Sequence, residues 1–344
     1  MNKNKNVIDY RERMRRASNP YYLDEKNMEE IYEIPYISNP SIMEGILHTG
    51  LYILAGAPKL GKSFLAEQIA YHVATGKPLW EYKINQGSVL YLALEDTYQD
   101  IQQRLYRMFG IETTEKLHFA VCAHQLNTEL DKQLTGFINK HQDTRLIIID
   151  TLQKIRKSNS SQYNYAEDYN EISLLKKFAD DNQICLIVVH HTRKQKSEDN
   201  FDMILGTNGI SGAANGSLLM YADNRIGKNV NLEIIGRNQQ SMKLHLNRNQ
   251  DTLVWELEKT ETELWKSPPD PILESISQML TDDNPTWEGT ATELVKKVNW
   301  ESQPNKLSRK LNVNAGRLLN EYNIRYTNNP IHEGRIIKLS REKQ

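Results

Sequence analysis

One segment, GAPKLGKS at residues 56–63, constrains the fold of this chain more than any other. It follows the apolar run LYILA and precedes a stretch in which apolar residues recur at helical spacing. This is the G-x-x-x-x-G-K-[ST] pattern in the strand–loop–helix context of a phosphate-binding loop. Small residues let backbone N–H groups converge on phosphate oxygens, and the amino end of the helix adds a favourable dipole. We therefore predict a nucleoside triphosphate site here.

The side chains of this loop have separate predicted roles. Lys62 reaches the β and γ phosphates, and the Ser63 hydroxyl ligates Mg²⁺, so ATP and Mg²⁺ are the predicted cofactors. The alternative interpretation is a helix-capping turn with a fortuitous lysine. The residues predicted to contact the nucleotide are Gly56, Ala57, Pro58, Lys59, Leu60, Gly61, Lys62, Ser63 and Phe64.

From about residue 41 the chain alternates short apolar runs with amphipathic stretches. The predicted strands are residues 51–56, 88–94, 117–122, 146–150 and 184–190, and the predicted helices lie near 62–75, 97–109, 129–141 and 166–182. Apolar strands without polar alternation, separated by helices, indicate an α/β fold whose parallel sheet is covered on both faces. After Gly216, runs separated by Gly- and Asn-containing turns predict antiparallel strands that extend this core.

The segment KSPPDP at residues 266–271 interrupts these patterns and predicts a linker. Beyond it, helical patterns near 271–281, 290–298 and 304–321 precede two strands around an Asn-Asn-Pro turn. The predicted organisation is a polar N-terminal arm at 1–40 with at most one short helix near 8–16, a nucleotide-binding domain at 41–262, a linker at 263–270 and a small C-terminal domain at 271–344.

Composition narrows the class of protein. The formal net charge is −1 over 344 residues, so any nucleic-acid surface has to be local. Cys122 and Cys185 both lie in apolar runs, which favours buried free thiols over a disulfide. No window approaches about 20 consecutive apolar residues, and the N-terminus carries no apolar signal region. We therefore expect a cytoplasmic protein that does not enter a membrane.

Acidic residues follow two of the predicted strands. Asp150 ends LIIID, and Glu95 and Asp96 end SVLYLALED. An ionised carboxylate after several buried residues suits the crevice at the carboxyl edge of a parallel sheet, where ligands bind. We predict that Asp150 binds the Mg²⁺ and that Glu95 orients the attacking water as a general base. The alternative for each is an ordinary polar cap of a strand.

Two histidines, His190 and His191, close the run ICLIVVH. Adjacent strand residues point to opposite faces of a sheet, so the pair is not expected to share a metal ion. One imidazole is instead predicted to hydrogen-bond the γ-phosphate and report its loss to the following loop. The alternative is a structural histidine with internal hydrogen bonds.

These motifs together carry a family resemblance. GAPKLGKS, ALED, LIIIDTLQKIR and VVHHTRK, in this order, resemble the RecA-like ATPases. The likeness is greatest to the RepA type of hexameric replicative helicase, an AAA-type ATPase of plasmids, phages and other mobile elements. It covers roughly residues 41–258. It implies a RecA-like fold, a homo-oligomeric ring with a hexamer favoured, and action on single-stranded DNA. It also implies catalytic roles for Lys62 and Glu95, an Mg²⁺-associated Asp150, and a phosphate sensor at His190 or His191.

One feature departs from the family. The glycine-rich segment at 204–225 has no clear counterpart of the arginine that RecA-like rings lend to a neighbouring site. Arg237, in EIIGRN on a later strand turn, is the best substitute, with Arg248 and Arg193 as reserves. The alternative is a solvated turn arginine.

DNA contacts are predicted in two places. The resemblance implies that the loops at about 153–165 and 192–216 face a DNA channel, where tyrosines 163 and 165 stack on bases. From Glu293 to Gln344 there are 11 Lys and Arg residues against 5 Asp and Glu, a local charge of +6. Three helices and a two-stranded wing there resemble a winged helix-turn-helix, which suits duplex DNA. The predicted DNA contacts are Lys154, Arg156, Arg193 and Lys194 in the channel and Lys306, Arg309, Lys310 and Arg317 in the C-terminal domain. A solvated charge run and a protein-docking winged helix are the respective alternatives.

The sequence thus favours an ATP-hydrolysing DNA motor, with a ring-forming replicative helicase of a mobile element as the leading subclass. An ATP-gated DNA-binding regulator or helicase loader without unwinding activity is the main alternative. A small-molecule kinase needs an arginine-bearing lid that the sequence does not indicate. A RecA-type recombinase needs a hydrophobic polymerisation segment, and none is evident in the N-terminal arm.

Overall fold

The structure is a computed structural model, and it divides into two compact units. One comprises residues 39–267, and the other combines residues 1–38 with 268–344. The described residues are 20–21, 23, 25–35, 41–126, 128–156, 165–192, 209–222, 229–237, 239–261, 269–281, 284–331 and 334–342. Among them, no helix has both the length and the apolar character required to cross a membrane.

The larger unit alternates strands and helices along the chain. Its strands are β1 (Gly50–Gly56), β2 (Ser88–Ala93), β3 (Leu117–Ala120), β4 (Thr144–Asp150), β5 (Cys185–His191), β6 (Gly216–Tyr221), β7 (Asn229–Gly236), β8 (Gln239–Arg248) and β9 (Trp255–Thr260). Its helices are α2 (Lys62–Thr75), α3 (Tyr98–Phe109), α4 (Leu130–Lys140), α5 (Leu152–Ile155), α6 (Tyr165–Asn182) and α7 (Gly209–Ala213). The short helix α1 (Met28–Tyr32) precedes them and belongs to the other unit.

Within the described residues these strands form one nine-stranded sheet in the order β3-β2-β4-β5-β1-β6-β7-β8-β9. The strands from β3 to β6 run parallel, whereas β7, β8 and β9 are antiparallel to their neighbours. Alternate residues of β1 enter two separate cores, with Leu54 on the α2 face and Ile53 on the α4 and α6 face. The predicted α/β class, with a parallel core and an antiparallel extension, is confirmed.

Helix α2 matches the predicted range because glycines bound it. Gly61 caps its amino end at φ 97° and Gly76 its carboxyl end at φ 72°, both in the left-handed region that glycine adopts without strain. Its buried residues include Leu65, Ile69 and Val73, which pack on the sheet. The phosphate-loop segment therefore joins two rigid elements.

Trp255, the first residue of β9, ties the antiparallel extension to the start of α2. Its side chain is 2% exposed, and its indole N–H lies 3.3 Å from the Gly61 carbonyl, to which it donates. The Gln68 amide donates to the Trp255 carbonyl at 2.9 Å and accepts from its backbone N–H at 2.7 Å. The indole N–H of Trp80 donates to the same carbonyl at 2.7 Å. The far strand of the sheet thus holds the helix that carries Lys62.

The smaller unit has its own core and sheet. Its elements after the linker are α8 (Pro271–Met279), β10 (Thr286–Gly289), α9 (Ala291–Lys297), α10 (Pro304–Val313), α11 (Ala315–Tyr322), β11 (Ile324–Ile331) and β12 (Gly334–Arg341). In the part of this unit that the structure describes, three antiparallel strands pair in the order β10-β12-β11. Leu273, Leu294, Leu307 and Leu318 from the four helices pack with the sheet residues Tyr326 and Leu339.

Two sequence predictions for this unit are wrong. The single helix predicted at 304–321 is two helices. Helix α10 ends at Val313, and Asn314 separates it from α11, which begins at Ala315. The Asn-Asn-Pro segment does not form the turn but lies within β11, where Asn328 pairs with Ile337 and Pro330 with Arg335. Proline is tolerated there because β11 is an edge strand with an unpaired side. The helix predicted near 8–16 lies outside the described residues.

Replacing Trp255 by alanine is expected to lower the free energy of unfolding by about 3–5 kcal/mol, because a fully buried ring leaves a cavity. Urea unfolding followed by far-ultraviolet circular dichroism measures this change. The matched control is Tyr106→Ala, which removes a ring that is 65% exposed and is expected to change stability by no more than about 0.5 kcal/mol. Similar small losses in both variants would contradict the anchoring role of Trp255.

Candidate nucleotide-binding site

The loop between β1 and α2 has the backbone geometry of a phosphate cradle. Lys59 and Gly61 both have positive φ, at 65° and 97°. A Cβ on Gly61 would lie 2.8 Å from the Trp255 ring, and a Cβ on Gly56 would lie 2.5 Å from the Met220 carbonyl oxygen. Side chains at both glycines are therefore excluded by their neighbours. The loop thus runs close to the groups around it at both glycines.

Lys62 is buried at the centre of this site. Its ammonium donates to the carbonyls of Gly56 and Ala57, each at 2.9 Å, and lies 3.0 Å from Nδ1 of His191. Burial lowers the pKa of Lys62 to about 8, and the charges of Asp150 and Glu95 oppose this shift. The ammonium therefore holds the loop in shape and carries the positive charge that a phosphate needs.

Asp150 ends β4 beside the loop and is buried. Its Oδ2 accepts a hydrogen bond from the Tyr91 hydroxyl at 2.8 Å, and its carboxylate also accepts from the Ser63 hydroxyl. Burial raises its pKa, and these two hydrogen bonds oppose the rise. A carboxylate and a hydroxyl in contact are hard oxygen ligands of the kind that Mg²⁺ takes, so the residues present fit the ion.

The two acidic residues after β2 point to different partners. Glu95 is exposed, and its Oε1 accepts a hydrogen bond from the Thr151 hydroxyl at 3.3 Å. Asp96 instead pairs with Arg104 at 2.6 Å. The charge of Glu95 acts on Lys62 and Asp150, and the charge of Asp96 also acts on Asp150, so both carboxylates lie near the phosphate loop. Asp96 is therefore engaged by Arg104 of α3, whereas the Glu95 side chain is held only by Thr151 among the described residues.

A buried ion cluster behind the loop escaped the sequence analysis. Glu67 on α2 is fully buried, with an oxygen 3.1 Å from the guanidinium of Arg104, which also holds Asp96. Burial raises the pKa of Glu67 to about 8, although Arg104 opposes the shift. Because Arg104 is shared with Asp96, it does not fully compensate Glu67. The only sequence signal was a charged residue in the otherwise apolar face of a helix.

The two histidines separate as their strand positions require. His191 lies on the α2 face with its Nδ1 against Lys62, and the pKa of its imidazole is lowered by burial and then by Lys62. His190 lies on the other face, where burial and the Arg156 guanidinium lower its pKa to about 4. The two therefore do not share a ligand. His191 is the one that reaches the phosphate loop.

Arg237 lies at the opposite edge of the sheet from the loop of its own chain. Arg237 follows Gly236, which pairs with Gly216 of β6, and Gly216 pairs with Tyr52 of β1. Tyr52 lies four residues, or about 13 Å, before Gly56 at the start of the phosphate loop. Its exposed guanidinium donates to the Gly212 carbonyl at 2.5 Å. Its own phosphate loop is therefore out of its reach.

Arg248, one of the reserves, lies in a different place. Its guanidinium is 4.0 Å from the centre of the Phe64 ring and 5.8 Å from that of Trp255, beside the start of α2. Burial lowers its pKa, as does the charge of Arg107. Arg248 therefore packs beside the start of α2 in its own chain. The other reserve, Arg193, lies outside the described residues.

The residues predicted to line a DNA channel differ in their exposure. Lys154 is exposed at the carboxyl edge of the sheet, but Arg156 is buried and pairs with Asp168 and Glu171, each at 2.8 Å. The prediction that Arg156 contacts DNA therefore conflicts with the structure, since its charge is already compensated inside the protein. Arg193, Lys194 and the side chains of tyrosines 163 and 165 fall outside the described residues.

Of the predicted contacts in the smaller unit, only Lys306 is exposed without a carboxylate partner among the described residues. Lys310 pairs with Asp270 at 2.9 Å and lies over the Trp300 ring. Arg317 pairs with Glu321 at 2.8 Å. Arg309 pairs with Glu29 of α1. Three of these four predicted contacts are therefore already paired with carboxylates within the unit.

The structure also bears on clusters of metal ligands and on the two cysteines. Within the described part of the chain, no three His, Cys, Asp or Glu side chains are grouped to hold a metal ion. Both cysteines are free thiols, and Cys185 is buried, but the predicted burial of Cys122 is wrong: it is exposed because β3 ends at Ala120, before it. Burial raises the pKa of Cys185 far above its ordinary value, so it is an inert core residue.

Comparison with known proteins bears on the type of domain. A family model described as an AAA domain matches residues 35–197. Among solved structures, the ATPase domain of G40P is similar with a TM-score of 0.51 and 14% identity, over 61% of this chain and 85% of that chain. No curated protein matches the chain. Residues 35–197 are therefore similar to a P-loop ATPase domain of the AAA type, and proteins with such domains generally bind ATP with Mg²⁺ and hydrolyse it.

The buried Glu67 carboxyl is expected to make stability fall as the pH rises. Its pKa is raised from 4.5 to about 8 by folding, so the folded protein keeps a proton that the unfolded chain has lost. Between about pH 5.5 and 7.5, the wild-type protein is expected to lose about 2–3 kcal/mol of unfolding free energy relative to Glu67→Gln. Urea unfolding at a series of pH values measures the difference. The control is Glu115→Gln at an exposed site. Parallel curves for wild type and Glu67→Gln would refute the shift.

Proposed function

We propose that the protein is an ATP-hydrolysing DNA motor, a ring-forming replicative helicase of a mobile element. One observation carries the proposal. Asp150 and His191 end the neighbouring strands β4 and β5, Lys62 begins the helix that follows β1, and the three meet at one phosphate loop with the exposed Glu95 beside them. This is the arrangement that the resemblance to RepA-type helicases implies.

The residues of the site divide the chemistry among them. Bound ATP with Mg²⁺ supplies the phosphoryl group that passes to water. Lys62 offsets the negative charge that builds on the phosphates, and Ser63 and Asp150 would hold the metal ion. Glu95, held by Thr151, orients the water and accepts its proton. His191, in contact with Lys62, is placed to sense whether the γ-phosphate is present.

A ring is proposed because Arg237 cannot reach the phosphate loop of its own chain. Arg237 is exposed and lies at the far edge of the sheet from its own loop, where a neighbouring subunit could use it. A homo-hexamer is the assembly that the family resemblance implies. The arginine would stabilise charge on the transferring phosphoryl group of the adjacent site.

DNA is proposed to bind at two surfaces. The exposed Lys154 after β4 belongs to the loop predicted to face single-stranded DNA. In the smaller unit, the order of helices followed by the β11–β12 hairpin is compatible with a winged helix, and α10 carries Lys306, Arg309 and Lys310. Such a helix suits the major groove of a duplex.

One observation favours the alternative function, an ATP-gated regulator or loader. Arg309, Lys310 and Arg317 all pair with carboxylates of the same unit. A surface neutralised in this way favours controlled binding over continuous movement along DNA. Strand displacement distinguishes the two functions, because a regulator hydrolyses ATP without separating strands.

The wild-type protein is expected to hydrolyse ATP faster with single-stranded DNA and to displace a strand from a forked duplex. Glu95→Gln is expected to retain ATP but hydrolyse it at least about 100-fold slower, because the positioned base is lost. Lys62→Ala is expected to weaken nucleotide binding itself. Phosphate release and titration with a fluorescent ATP analogue measure the two effects.

The matched control is Asp96→Asn, which changes the same charge at the adjacent position. Near-normal turnover by Glu95→Gln together with an inactive Asp96→Asn would reverse the assignment of the two carboxylates. DNA-stimulated hydrolysis without strand displacement would favour the regulator, and no response to DNA would refute both.

Arg237→Ala is expected to be inactive alone, by about 10³-fold or more, if the ring needs an arginine in trans. Mixing it with Glu95→Gln subunits is expected to restore activity. Some interfaces then combine the intact Glu95 of one subunit with the intact Arg237 of the other. Steady-state ATP hydrolysis over a series of mixing ratios measures the recovery.

The control for mixing is Arg237→Ala with the double variant Arg237→Ala/Glu95→Gln, which restores no interface. Full activity of Arg237→Ala by itself would remove this residue from the site. Recovery in the control mixture would show that mixing acts through something other than a shared interface.

A further inference from the structure

Helix α1, with the sequence MEEIY, packs against α10 of the same unit. Asn27 caps it, and its first turn carries Glu29 and Glu30. Glu33 follows directly at its carboxyl end. The helix thus brings a cluster of acidic residues to the element that carries most of the predicted DNA contacts of this unit.

Two of these carboxylates neutralise two arginines. Arg309 of α10 pairs with Glu29, and its Nε lies 3.6 Å from Glu33. Arg335, at the start of β12, pairs with Glu33 at 2.9 Å and also donates to the Glu33 carbonyl at 3.3 Å. The two guanidinium groups therefore face two negative charges, as they would on neighbouring DNA phosphates.

A specific anchor fixes the position of α1. Asn312 of α10 is fully buried, and its Oδ1 accepts from the Tyr326 hydroxyl at 2.8 Å and from the Asn328 amide at 3.3 Å. Its own amide donates to the Tyr32 carbonyl at 2.8 Å. The backbone of α1 therefore completes the hydrogen bonds of a buried side chain, which gives the docked segment one register.

Apart from the Asn312 hydrogen bond, the contacts of α1 are exposed to solvent. None of its residues is buried, and Met28 and Ile31 are 68% and 47% exposed. The paired side chains of Arg309 and Arg335 are also partly exposed, at 34% and 42%. Solvent-exposed ion pairs contribute little and are screened by salt, and segments with few buried contacts open readily. The docked helix is therefore displaceable.

We propose that α1 is an internal acidic ligand that covers the basic face of α10, and that duplex DNA displaces it. The inference rests on the proposed DNA-binding role of this unit and names its regulation. Lys306 lies three residues before Arg309, on the same side of α10, and is exposed. DNA can therefore engage the uncovered Lys306 first and then replace the carboxylates at Arg309 and Arg335.

The test uses the full-length chain with Glu29→Gln/Glu33→Gln, which removes the two covering charges and keeps the length of both side chains. Binding of a fluorescently labelled duplex, measured by anisotropy at low salt, is expected to tighten roughly tenfold, since two exposed ion pairs no longer compete. The matched control is Glu25→Gln/Glu30→Gln. It makes the same change in net charge on the same segment, and neither residue pairs with a described residue of α10. The amide oxygen introduced by Glu30→Gln can still accept the capping hydrogen bond from the Asn27 backbone N–H.

The outcomes distinguish displacement of α1 from DNA binding by the smaller unit. Tighter binding by Glu29→Gln/Glu33→Gln alone supports the inference. Equal affinity in both double variants overturns it and leaves the DNA-binding proposal standing. If no variant binds the duplex, both fail, and the basic face of α10 is a protein-docking surface for α1.

A second measurement follows α1 itself. Amide hydrogen exchange of residues 28–34 in the wild-type chain is expected to speed up when duplex is added, because the helix leaves α10. Slower or unchanged exchange at saturating duplex would show that α1 stays docked and would overturn the inference even if DNA binds.

Discussion

The contact on which the site depends is the hydrogen bonding of the buried Lys62 ammonium to the Gly56 and Ala57 carbonyls. These bonds fold the loop back over the start of α2 and put a positive charge where little water competes for it. The strand order β4-β5-β1 then sets Asp150 and His191 beside that charge, because parallel strands end at a common edge. Trp255 fixes the same helix from the far end of the sheet.

Negative charge exceeds positive charge around this lysine. Asp150, Glu95 and Asp96 carry negative charge near Lys62 and Arg104, and burial raises the pKa values of Asp150 and Glu67, with the neighbouring carboxylates adding to the rise. A bound divalent cation would relieve this excess of negative charge. Holding these carboxylates together stabilises the protein less than an apolar core would, which is a common property of functional sites.

In the smaller unit the charges are balanced differently. Its basic side chains are largely paired with carboxylates of the same unit. Arg309, Lys310 and Arg317 each have an acidic partner, and those of Arg309 come from a segment 280 residues away in the chain. A local charge of +6 is therefore not the charge that a ligand meets. Binding of DNA here requires exchange of partners, whereas binding of a nucleotide in the larger unit meets a site already assembled.

The sequence by itself determined the α/β order, the bounds of α2, and the position of Lys62, Asp150 and Glu95 at the carboxyl edge, because each follows from local patterns. Period, glycine caps and strand ends are encoded within a few residues. Only the tertiary structure decided which histidine reaches Lys62, that Arg156 is buried against Asp168, that Glu67 shares Arg104 with Asp96, and that α1 covers Arg309. These pairings join residues distant in sequence, and the partner of a charge is set by the fold that brings the two together.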